Sequence, residues 1–77
     1  MSWSFSVTGT DPTDVMTRLR AAIDENPYAP KDGRIEAAAE VLVQKTKVGT
    51  PAISVGTNGH LEPDGSGYVN VNVSCQP

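Results

Sequence analysis

Tyr68-Val69-Asn70-Val71-Asn72-Val73-Ser74-Cys75 alternates without a break, with Val69, Val71, Val73 and Cys75 on one parity and Tyr68, Asn70, Asn72 and Ser74 on the other. That period of two marks a strand with one face on a core and the other in water. Immediately before it, Glu62-Pro63-Asp64-Gly65-Ser66-Gly67 has turn composition throughout. Before the turn, Ala52 to Leu61 continues the alternation, placing Ile53, Val55, Thr57 and Leu61 on one side. Asn58-Gly59 inside this run is a strong hairpin signal. Only two residues then separate it from the better turn, so a continuous or bulged strand is expected. The chain also opens on a strand, Ser2 to Thr8, in which Trp3, Phe5 and Val7 alternate with Ser2, Ser4, Ser6 and Thr8. Gly9-Thr10 breaks it.

Two helices fill the interval. Asp11 is placed as N-cap, Pro12 as the first helical residue and Asp14 in the first turn. Val15, Leu19, Ala22 and Ile23, with Met16, form the apolar stripe, and Arg18 follows Asp14 at helical spacing. Pro27 and Pro30 end the helix near Asn26. Asp32 is predicted to cap a second helix that runs to about Lys47, with Ile35, Ala38, Ala39 and Leu42 as its stripe and Val41 and Val43 widening it. Gly49 and Pro51 give the stop. The fold class is therefore α+β: one domain over residues 1–77, a two-layer sandwich in β-α-α-β-β order. Both helices cover one face of a three-stranded, mainly antiparallel sheet. Gly56 and Gly59 weaken the second strand as a centre, which favours placing the third there, with the first as its parallel neighbour.

Length limits what can hold this domain together. A chain of 77 residues buries a thin core, and small domains often add disulfides, metal or a partner subunit. Cys75 is the sole cysteine, so no disulfide forms within the chain. One Cys and one His (His60) do not complete a zinc shell. No metal and no cofactor is expected. Six Lys and Arg against nine acids, with a net charge of −3, give no basic stripe for nucleic acid. No apolar run is long enough to span a membrane. Met1-Ser2-Trp3-Ser4 has neither the basic nor the apolar region of a signal peptide, so the expected location is the cytoplasm.

Catalytic patterns are missing as well. The sequence has no GxxxxGK[ST], GxSxG or HExxH motif. Gly65-Ser66-Gly67 follows a turn and precedes a strand, whereas a phosphate loop opens a helix. His60 has Glu62 on its own parity and Ser54 and Ser74 as candidate neighbours across the sheet, but nothing encloses it, and it is read as a surface histidine. Cys75 shares the parity of the valines and is read as a small core hydrophobe.

One pattern remains. Every Lys and Arg lies between Arg18 and Lys47, and the sheet face turned from the helices collects Ser, Thr, Asn, Gly, His60 and Tyr68 without a formal charge. Exposed sheets usually carry charges that discourage pairing. Tyr, Ser, Gly and Asn are the adaptable residues of protein-binding surfaces, and interface cores are depleted in charge. The candidate binding residues are Tyr68, Asn70, Asn72, His60, Ser4, Ser6 and Ser54, and the expected partner is another protein or a second copy of this chain.

The opening Trp3-Ser4-Phe5-Ser6-Val7-Thr8, together with Ile53-Ser54-Val55 and Val69-Asn70-Val71-Asn72-Val73-Ser74 around an Ala-rich helical pair, resembles the small uncharacterised proteins common in genomes of phages infecting actinobacteria. The resemblance implies a phage accessory protein, active in the host cytoplasm, and carries over no site residues. The expected function is non-enzymatic protein binding through the uncharged sheet face. Two alternatives are a capsid- or tail-associated virion protein and a small oligomeric ligand-binding protein or enzyme with an inter-subunit site.

Overall fold

The computed structural model describes residues 1–45 and 52–76. Its elements are β1 (Ser2–Gly9), α1 (Pro12–Glu25), α2 (Arg34–Val43), β2 (Ala52–Leu61) and β3 (Gly67–Gln76). This is the β-α-α-β-β order the alternation and the two helical stripes require, and Asn58-Gly59 lies inside a continuous β2. The turn sits at Glu62 to Ser66, closed by the Glu62 N–H on the Ser66 carbonyl (2.8 Å) and the Gly65 N–H on the Glu62 carbonyl (2.9 Å). Gly65 takes a left-handed φ of 88° there, a conformation open to glycine.

The strand order corrects the sequence reading. The sheet runs β1-β2-β3 with both pairings antiparallel, so β2 is central and β1 has no parallel neighbour. The glycines of β2 are there to admit side chains from its neighbours. A Cβ on Gly59 would stand 2.6 Å from the Trp3 ring and 2.4 Å from the Tyr68 carbonyl oxygen, so the indole of β1 lies directly over the bare backbone of β2. On the opposite face, the Asn72 side chain occupies the space a Cβ on Gly56 would need.

Thr57 then joins all three strands. Trp3 Nε1–H donates to Thr57 Oγ1 (3.3 Å), and the Thr57 hydroxyl donates to the Asn70 carbonyl (3.0 Å). The residue is 2% exposed, the one buried polar side chain among the described residues. A buried indole N–H needs an acceptor, and this hydroxyl supplies it while tying β1 to β3 across the centre.

The core consists of Trp3, Ile53 and Val55 from the sheet, Val15, Met16, Leu19 and Ile23 from α1, Ile35, Ala39 and Val43 from α2, and Ala29 from the connection. Each large aliphatic buried here contributes ~1.5–3 kcal/mol relative to exposure. The buried stripe of α2 is the single i, i+4 row 35-39-43, with Leu42 half-buried. Ala38 and Val41 are exposed, contrary to the broader stripe expected from sequence, because ten residues of helix turn only that one row onto the sheet. Cys75 is also corrected: it is exposed, on the edge strand β3, where even the valines of the same face are only half-buried.

Capping explains the helix boundaries. Asp11 accepts from the Asp14 N–H (2.7 Å) with Pro12 in the first turn, as its sequence position requires. At the other end, the Asn26 side chain accepts from the Tyr28 and Ala29 N–H groups (2.9 and 3.0 Å), and Lys31 Nζ donates to the Ile23 and Asn26 carbonyls. Gly33, in the left-handed region at φ 91°, is the N-cap of α2. Asp32 stands one residue earlier than a cap and binds the Arg34 N–H and guanidinium. α2 ends at Val43 with Gln44 as its C-cap, and Gln44 and Lys45 form a turn, so the helix is shorter than the expected run to about Lys47. Residues 46–51, with the expected stop at Gly49 and Pro51, lie outside the described residues.

Two substitutions probe the central strand. Thr57→Val leaves the buried Trp3 N–H without an acceptor and should lower unfolding free energy by ~1–3 kcal/mol in urea titration. The same change in a Trp3→Phe background should cost less, because the stranded donor is gone. Gly59→Ala forces Trp3 off its seat and should destabilise by ~1–3 kcal/mol in the same assay.

Candidate functional site

Register places every candidate residue on one surface. Reading across the three strands, the open face has four rows: Ser2-His60-Tyr68, Ser4-Asn58-Asn70, Ser6-Gly56-Asn72 and Thr8-Ser54-Ser74. Tyr68, Asn70, Asn72, His60, Ser4, Ser6 and Ser54 therefore share the face opposite the helices, as the parity requires. The end rows lie about 20 Å apart at ~3.4 Å per residue. None of the three strands contains Asp, Glu, Lys or Arg. Tyr68 is 59% exposed and stands at the rim.

Neighbouring side chains hold one another within these rows. Asn70 Nδ2 donates to Asn58 Oδ1 (3.1 Å), and the Thr8 and Ser54 hydroxyls meet at 3.0 Å. Asn72 lies over Gly56. Such cross-strand pairs restrict rotamers before any partner arrives, and less entropy is then lost on binding.

The corner at His60 is the most polar part. His60 Nε2 lies 2.7 Å from Glu62 Oε1, Nδ1 lies 2.8 Å from Ser2 Oγ, and the Met1 amino group is 3.4 Å from Nδ1. A carboxylate has no proton to give, so Nε2–H donates to Glu62, and Nδ1 of the neutral ring accepts from the Ser2 hydroxyl. The hydrogen bond from His60, reinforced by its charge when protonated, holds the Glu62 carboxyl below the usual range. Sequence reading expects Glu62 here but places Ser54 and Ser74 as the hydroxyl neighbours. The register instead puts those two in the far row and brings Ser2 alongside. Ser2 was missed because the pairing of β1 with β2 spans 58 residues and leaves no local trace.

A serine, a histidine and a carboxylate in hydrogen-bonded series are the components of an acyl-transfer triad. That chemistry also needs oriented oxyanion donors and a site that sheds water. Here the His60 and Glu62 side chains are 35% and 56% exposed at the corner of an open sheet. The arrangement presents a hydroxyl, an imidazole and a carboxylate in fixed positions to whatever lies against the face.

The helical side of the molecule has a shallow cleft of about 270 Å³ between α1 and α2, lined by Pro12, Thr13, Met16, Arg20, Glu40, Val43 and Gln44. Among the described residues no group of three His, Cys, Asp or Glu gathers to hold a metal ion. Among the described residues no helix is long and apolar enough to cross a membrane. Comparison with protein families, with curated proteins and with solved structures finds no match to this chain.

The Glu62 carboxyl gives a pH test of the corner. Its folded pKa lies below the unfolded value, so its contribution is present above the ordinary glutamate range and is lost as pH falls through the folded value. In His60→Ala, carboxyl-detected NMR titration should show Glu62 moving up toward its ordinary value, with Asp64, held down by Ser66, unchanged.

Proposed function

We propose that this protein is a non-enzymatic binding module that docks its open sheet face on another protein. The observation that supports this most directly is the complete absence of formal charge from three strands whose outer face is exposed. A wet sheet face gains solubility from Lys and Glu, and this one has Ser, Thr, Asn, Tyr and a single His instead. Those side chains exchange hydrogen bonds with a partner without the desolvation cost of a buried charge. Tyr68 at the rim is the aromatic anchor, and the Ser2-His60-Glu62 corner provides directional contacts beside it. Service to a phage, as an accessory protein acting in the host cytoplasm, follows from the resemblance of the strand patterns alone.

The test compares capture by the tagged protein with capture by a face variant and a helix-side control, using lysates of phage-infected actinobacteria. Ser6→Lys with Asn58→Lys puts two charges in the middle of the face, away from the free edge of β3. Arg20→Glu changes the cleft on the opposite side. The wild type and the Arg20 variant should capture the same protein in stoichiometric amount, and the face variant should lose at least about tenfold, the effect of ~1.4 kcal/mol. Retention of that protein by a folded face variant overturns the proposal.

A further inference from the structure

Beyond the face, the sheet has an edge with unusual properties. The Leu61 N–H donates to the Met1 carbonyl (2.9 Å), and the Met1 amino group donates to the Leu61 carbonyl (3.1 Å). Met1 and Leu61 are thus a hydrogen-bonded pair, and antiparallel alternation turns the main-chain groups of the odd residues of β2 toward β1 and those of the even residues toward β3. The Glu62 N–H on the Ser66 carbonyl keeps the same phase through the turn. It follows from the register that Gly67, Val69, Val71, Val73 and Cys75 point their N–H and C=O groups away from the sheet.

That edge is ten residues long, and β3 contains no charge and no proline to block pairing. Its sequence is symmetric about Val71: Val69-Asn70-Val71-Asn72-Val73 reads the same in both directions. We propose that β3 pairs antiparallel with β3 of a second copy, across a two-fold axis through Val71, joining two sheets into one of six strands.

In this register Val71 faces Val71 of the other copy, Val69 faces Val73, Asn70 faces Asn72 and Gly67 faces Cys75. The outward-pointing odd residues meet one another, so each of their pairs exchanges two main-chain hydrogen bonds. Valine stands beside valine on the helical face and asparagine beside asparagine on the open face, which is the self-complementarity an isologous contact requires. No like charges meet at the seam, although each copy carries −3.

The helix layer adds to the contact. α2 lies over β3, and Glu40 and Gln44 face α1 across the cleft. The opposite flank of α2 therefore carries Ala38 and the half-buried Leu42, with exposed Val41 above them. Ala38 is small enough for the second α2 to approach. The paired strands would run together for ~33 Å at ~3.3 Å per residue, with α2 backing part of that length. β1 offers the other edge, but it has eight residues and Trp3 on it is already covered.

The register makes a charge-swap test specific. Asn70→Lys with Asn72→Lys sets lysine against lysine twice, whereas Asn70→Lys with Asn72→Glu sets lysine against glutamate twice. All four substitutions are at exposed positions, and circular dichroism checks that each variant is folded. Sedimentation velocity of the full chain at micromolar concentration should give a dimer for the wild type. The dilysine variant should be monomeric and the lysine–glutamate variant dimeric, with at least about tenfold separating their dissociation constants at low salt. The gap should narrow as salt is raised. A wild-type monomer, or folded double variants with equal dissociation constants, overturns the assignment. Pairing through β1 appears as the second result, since residues 70 and 72 would then lie away from the seam.

Discussion

A single buried hydroxyl organises this sheet. Thr57 accepts from the indole of Trp3 and donates to the carbonyl of Asn70, so the central strand is fastened to both neighbours at one point. The arrangement depends on Gly59, whose missing side chain gives the indole its seat. Trp3 can then close one end of the core that α1 and α2 complete above Ile53 and Val55. In a domain of this size, where the aliphatic core is thin, a satisfied polar link between three strands limits slippage. A shift of one residue would turn Trp3 to the open face and Ser4 inward.

That register is also what composes the candidate surface. With β1 locked to β2 and the turn locking β2 to β3, uncharged side chains fall into four rows, and no strand supplies a charge to interrupt them. The charged residues are displaced to the helices and the turns. The molecule therefore has two different sides: a helical side with mixed charge and a shallow cleft, and a sheet side that offers only neutral hydrogen-bonding groups apart from the His60–Glu62 corner.

Much of this was legible in the sequence because it depends on local periodicity. The extents of β2 and α1, the turn at Glu62 to Ser66 and the shared parity of the seven candidate residues follow from alternation, caps and breakers. Strand order did not follow. Gly56 and Gly59 argue against a central strand when only propensity is considered, and their use becomes visible only when Trp3 and Asn72 are seen to occupy the vacated space. Ser2 beside His60 was hidden for the same reason: the contact belongs to the register of distant segments. The expected burial of Cys75 and Val41 failed because pattern specifies a face of an element and not how completely that face is covered.

The central position of β2 has a consequence for synthesis. β1 is made before β2, yet β2, its strand partner among the described residues, follows only after Thr10 to Pro51 have been added. During that interval Trp3, Phe5 and Val7 have no strand to pair with, and the helices have no finished sheet to pack on. Contacts of such sequence separation form slowly, whereas the β2–β3 hairpin closes through a short turn. Closing the β2–β3 hairpin before β1 docks on it is therefore the order that loop-closure cost favours.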